Sequence, residues 1–168
     1  APDLPVPPRP RVSGAPAGWL TAGVVALVVV AALLAAVEAA LGRLTRPEAA
    51  RLVADGRRGA VAVQQVLGDL ASFISSSTLL RVTAETAAVV AATIALAGVL
   101  GRWPLLLTVA SLVMAVATFL LVGVAPRTLG RQHAEAFALV LVPVVRGPVR
   151  AVAPLARLLV LLGNAVTP

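Results

Sequence analysis

Four ionisable side chains stand within or at the ends of long apolar runs and are the strongest candidates for a functional role: Glu38, Arg81, Glu85 and Arg127. A charge inside a membrane span costs about 2.5–3.5 kcal/mol on insertion scales, so such residues are kept by partners or by function. At 1.5 Å per residue, Glu38 falls roughly 27 Å along its run from Leu20, and Glu85 about 22 Å from Leu100. Arg81 precedes Glu85 by one helical turn on the same face, and Arg127 closes the next apolar run. Antiparallel helices would bring the two carboxylates and two guanidinium groups to one depth. Two chemistries fit this pattern. One is an inward-facing cation or proton site with Glu38 and Glu85 as oxygen ligands, assisted by the hydroxyls of Ser77, Thr78 and Thr83. The other is a Glu–Arg–Glu network that locks helices together. Arg81 weighs against a divalent metal, because a fixed cation repels it and can stand in for it.

Other chemistries are poorly supported. The chain has no cysteine, so it offers no disulfide, no thiolate metal site and no Cys nucleophile. Its single histidine, His133, cannot make a zinc site alone and reads as an interfacial residue. The glycines between Gly56 and Gly59 lack the Lys-Ser/Thr ending of a phosphate loop. No Ser-His-Asp set is expected, and the Ser75–Thr78 run reads as intramembrane bonding to carbonyls one turn back. No catalytic residue and no enzyme activity are expected. The net charge of +7 is carried by arginine, with no lysine, but the 3% aromatic content leaves no platform on which bases could stack. A nucleic-acid partner is not expected.

The elements that must hold these residues are membrane helices. The sequence is 60% hydrophobic and 12% charged, with a mean hydropathy of +0.99. A soluble domain sits near 45–50% and about 25%, so lipid is the expected solvent. Residues 1–18 are proline-rich and predict an extended extracytoplasmic tail; the apolar run that follows is too long for a signal-peptide core. Three spans are expected over residues 19–41, 70–101 and 103–125, with Trp19 and Trp103 at interfaces. Between the first two, Thr45-Arg-Pro-Glu48 reads as a capping box opening a short helix, and AVAVQQVL as a second. Asp69 is placed to cap the second span. Pro126 and Gly130 should stop the third, whose small residues Ala110, Ser111, Ala115 and Ala117 offer a close-packing face and predict a homodimer. Residues 132–164 are apolar but interrupted by Pro143, Arg146, Pro148, Arg150 and Pro154, and predict helices lying in the interface with snorkelling arginines. A fourth, kinked span is the alternative. The segments after the first and third spans each carry five arginines, against Arg102 alone in the outer turn. The positive-inside rule then places the N-terminus outside and the C-terminus in the cytoplasm. The expected fold class is all-α integral membrane: three transmembrane helices, two short cytoplasmic helices and a C-terminal juxtamembrane belt.

Four stretches carry a resemblance: VEAALGRLTRPEAARLVADGRRGA after the first span, STLLRVTAETAA in the second, GVAPRTLGRQHAE closing the third, and ARLLVLLGNAVTP at the end. From Trp19 onward the chain resembles the transmembrane domain of the cyclin M–CorC family, hemolysin-like membrane proteins with cytoplasmic CBS domains. The PRTLGRQ stretch resembles a bacterial branch of it. The resemblance implies a homodimer in the cell membrane and magnesium transport or efflux, with a dehydrated cation held among the helices. It also implies a CBS pair binding ATP with magnesium past Thr167-Pro168; no CBS module and no ATP site are expected within residues 1–168. The chain departs from the family pattern at Val37, where the family has Ser before the retained Glu38. It departs again at Arg81-Val82, where the family has Gly-Asn, and at Gly123, where it has Glu. Valine and glycine side chains offer magnesium no oxygen. The function expected is a divalent-cation transport domain, with magnesium the implied ion. The alternative is a membrane scaffold or sensor that keeps the fold, has lost the ion site and works with another membrane protein.

Overall fold

The computed structural model describes residues 17–97 and 103–166, and every element among them is helical. The expected outer turn at Gly101-Arg102 and nearly all of the tail lie outside the described residues. Helix α1, Ala17–Leu41, begins within the stretch expected to be tail and carries the first apolar run. Its end tightens as Arg43 and Leu44 donate three residues back, to Ala40 and Leu41.

Helix α2, Arg46–Ala54, opens with the expected capping box. Glu48 N–H donates to Thr45 Oγ1, and the Glu48 carboxylate accepts from Thr45 N–H at 2.8 Å. That backbone bond, with a second from the Thr45 hydroxyl, holds the Glu48 carboxyl below its usual range. Gly56 and Gly59 end the segment with φ of 66° and 84°, a region costly for any residue with a Cβ. Gly59 has a second constraint: a Cβ there would run into the Leu139 carbonyl oxygen of the last helix. Helix α3, Ala60–Gly68, follows, and after Asp69 the chain turns into α4, Leu70–Ala97. Asp69 makes no side-chain cap among the described residues. Its carboxylate lies 3.9 Å from Arg157 instead.

Helix α5, Trp103–Thr118, does not stop at Pro126. It passes through a π-helical segment, Phe119–Val124, into α6, Ala125–Gln132. Proline cannot donate to the carbonyl four residues back, and its ring crowds that carbonyl. The widened turn, with Ala125 N–H donating to the Leu120 carbonyl, lets the helix continue. Gly130 is buried against α1, where a Cβ would collide with the Ala36 carbonyl oxygen. The third apolar rod thus ends near Gln132 instead of residue 125.

The last section also differs from expectation. It is one continuous helix, α7, Ala134–Val166, with Pro143, Pro148 and Pro154 inside it. Among the described residues, four helices are therefore long and apolar enough to cross a membrane, one more than the three spans expected. The contacts of α7 describe its course. Glu135 lies 3.5 Å from Arg57, Leu139 meets Gly59, and Arg157 reaches Asp69 and, at 3.5 Å, Ser72. From residue 135 to residue 157 the helix advances about 33 Å. All of these partners nevertheless belong to the connecting segment or the first turn of α4, so α7 packs along that segment and the start of α4.

The main core lies at this same end. It gathers Leu34, Val37 and Leu41 of α1, Leu52, Val63 and Phe73, and Val142, Val145 and Val149 of α7. Farther along, α1 and α4 pack through alanines, Ala31 and Ala35 against Ala84, with Val122 of the π segment completing the contact. The apolar residues turned outward, such as Val25, Val90, Ile94, Leu112 and Val116, form a large exposed apolar surface.

Candidate functional site

The alanines of α1 let α4 approach closely, and toward the C-terminal end of α1 the charged residues meet. Glu38 lies on the last turn of α1. Its Oε1 accepts hydrogen bonds from Ser77 Oγ at 2.9 Å and from Thr78 Oγ1 at 3.2 Å, both on α4. Its Oε2 lies 3.5 Å from Arg81 Nε. One turn farther along α4, Arg81 Nη1 donates to Glu85 Oε1 at 2.7 Å. The side chains of Glu38, Arg81 and Glu85 are 14%, 14% and 21% exposed, and Ser77 is fully buried. Helical periodicity explains the grouping, since Ser77 and Thr78 precede Arg81 by four and three residues and Glu85 follows it by four.

The arginine is incompletely satisfied. Its Nε is buried, and the 3.5 Å approach to Glu38 does not make a hydrogen bond. Guanidinium–carboxylate pairs are commonly bidentate, whereas here one arginine is divided between two acids on different helices. Two carboxylates and one guanidinium leave the trio with a formal charge of −1.

Of the expected residues, Glu38, Arg81, Glu85, Ser77 and Thr78 come together. Thr83 does not: it is exposed and donates to the Leu79 carbonyl at 2.9 Å. Two residues beyond Arg81, it is turned about 200° around the helix. It lines an apolar groove with Leu20, Val82, Ala87 and Val90. Arg127 is exposed and makes no ion pair among the described residues; with Arg131, Glu38 and Ala39 it lines a cavity of about 270 Å³. Arg131 is not among the residues expected from the sequence, although its spacing of four from Arg127 puts both on one face of α6. A cavity of about 200 Å³ between α4 and α7, lined by Asp69, Ser72, Ser76, Arg150 and Arg157 together with the apolar Phe73 and Val149, is likewise unexpected. It exists because α7 crosses the start of α4, which no local pattern encodes.

As arranged, the cluster does not fit a resident magnesium ion. That ion requires near-octahedral oxygens at about 2.0–2.1 Å. Glu38 Oε1 is already filled by two hydroxyl donors, and Arg81 stands between the acids. Among the described residues no group of three or more His, Cys, Asp or Glu is placed to hold a metal.

The family model of the cyclin M transmembrane N-terminal domain matches residues 22–168. The chain is also similar to two curated proteins, UPF0053 protein Rv2366c of Mycobacterium tuberculosis and UPF0053 protein Mb2387c of Mycobacterium bovis. It is 35% identical to each over 147 residues, which is 87% of this chain and 33% of theirs. The chain therefore spans about a third of the length of these relatives. The apolar helices, the main core and the charged cluster all lie in the matched region, and the chain belongs to the cyclin M transmembrane domain family.

Proposed function

We propose that this chain is the membrane domain of a protein that moves a divalent cation, with magnesium the candidate ion. The observation that supports this reading is the environment of Glu38. A carboxylate on one apolar helix collects two hydroxyls from another, at 2.9 and 3.2 Å, in a largely buried position beside a cavity. Hard divalent cations select oxygen-only ligands of this kind. The domain sits in the cell membrane with its N-terminus outside and its arginine-rich face in the cytoplasm. It pairs as a homodimer through α5, whose Ser111 and Ala115 are exposed beside Leu112 and Val116.

In this reading α7 lies along the inner membrane surface instead of crossing. Besides its contacts with the connecting segment and α4, it carries two separate outer faces as far as Leu158; beyond it, the exposed Leu161 falls about 40° from the arginines. Arg146, Arg150 and Arg157 fall within about 40° of one another, while the exposed Val140, Val144, Leu155, Leu158 and Leu162 centre roughly 130° away. One face suits headgroups and water, and the other suits acyl chains.

A second reading, a scaffold or sensor without transport, is favoured by Arg81, which already neutralises part of the cluster. Magnesium flux into proteoliposomes separates the two. The transport reading expects uptake well above that of protein-free vesicles. Uptake equal to that of empty vesicles, from protein shown to be folded, sinks transport and leaves the scaffold.

A further inference from the structure

We infer that Arg81 is a tethered counter-cation: it occupies, from within the chain, the place between Glu38 and Glu85 where a divalent cation would otherwise bind. The inference rests on the reading of these acids as oxygen ligands, and it concerns occupancy instead of transport.

Three features carry it. The first is position. A single guanidinium reaches acids on two helices, at 2.7 Å from Glu85 and 3.5 Å from Glu38, so it bridges them as a metal ion would. The second is incomplete fit. A buried arginine that serves packing normally has its N–H groups satisfied, yet Nε here has no hydrogen-bond partner. Glu38 is instead held by Ser77 and Thr78, so the oxygen group around it is built without the arginine's help. The third is charge. The trio carries −1 with Arg81 in place, and a divalent ion added beside the guanidinium would meet a fixed positive charge a few ångströms away. Arg127 and Arg131 line the cavity next to Glu38 and add to that repulsion.

Neutralising Arg81 leaves −2 facing a set of oxygens that is already assembled, which is the arrangement that attracts a divalent ion. Arg81→Gln is the variant of choice, because its amide can still hydrogen-bond to the acids. Arg81→Gln/Glu38→Gln is the control. Binding is read directly with manganese, whose electron paramagnetic resonance signal is lost on coordination, using the full 168-residue chain in detergent. It is also read as the melting temperature with and without magnesium at matched ionic strength.

The expected result is that the parent binds no manganese at Glu38 and melts at the same temperature with magnesium. Arg81→Gln should bind manganese at one site per chain and melt about 5–10 °C higher at a hundredfold excess over the dissociation constant. The double variant should lose both responses. Manganese binding by the parent that Glu38→Gln abolishes would overturn the inference, because the acids would then hold metal beside the arginine. So would a folded Arg81→Gln chain that binds none. The two proposals fail separately. A parent without flux whose Arg81→Gln variant binds manganese supports the tethered cation and removes transport. A parent with flux whose variant binds none does the reverse.

Discussion

The two oxygens of Glu38 are held by different means. Oε1 is fixed by two neutral hydroxyls, and Oε2 faces a charge that is too far for a hydrogen bond. The hydroxyls therefore set the rotamer of the carboxylate, and Arg81 supplies longer-range neutralisation. Removing one hydroxyl tests this division. Ser77 is fully buried, so Ser77→Ala leaves Glu38 one donor short and costs about 1.5–3 kcal/mol, the range for a hydrogen bond to a charged group. Thr83→Ala, a deletion at an exposed hydroxyl that bonds to its own helix, should stay within about 0.5 kcal/mol. Melting in detergent compares them. Equal losses would mean that Ser77 does not hold the carboxylate.

Among the helices, the packing of the connecting segment onto α7 depends on glycine for two different reasons. Gly56 and Gly59 both have positive φ, but only Gly59 has a neighbour in the space of its missing Cβ. Gly56→Ala should cost about 1–2 kcal/mol through the backbone alone. Gly59→Ala adds the displacement of α7 at Leu139 and should cost roughly 2–5 kcal/mol. Thermal unfolding of the two variants under one condition reads the difference. Similar losses would show that α7 does not press on the segment. The same logic applies to the π segment: Pro126 forces a wider turn, the rod continues, and Arg127 and Arg131 arrive beside Glu38.

For the domain as one body, the orientation of α7 governs which side meets lipid. The sequence has no cysteine, so single cysteines can be introduced cleanly. Spin labels at Val140 and Leu162, both exposed and on one face, should report the same depth against lipid-soluble and water-soluble relaxants if α7 lies across the bundle ends. A crossing helix would separate them by about 33 Å along the membrane normal. A depth difference of that order would remove the in-plane orientation and make α7 a fourth span.

What was legible in the residues alone depends on composition and on spacing along one helix. The apolar content required lipid as solvent. Thr45 and Glu48 specified a helix start through bonds that span three residues, and residues 77, 78, 81 and 85 were bound to share a face because about 3.6 residues make a turn. Relations between helices are not encoded so locally. That Glu38 meets Ser77 and Thr78, that Arg81 divides itself between two acids, and that Arg127 lines a cavity with Glu38 without pairing to it depend on the rotation and offset of α1, α4 and α6. Those are set by alanine contacts and by Gly130 against Ala36. The prolines point the wrong way for a related reason. They remove backbone donors wherever they occur, but a helix stops or continues according to whether the freed carbonyls can be accommodated. Packing settles that question here, by widening one turn at Phe119–Val124 and by carrying α7 on as a single helix past its prolines.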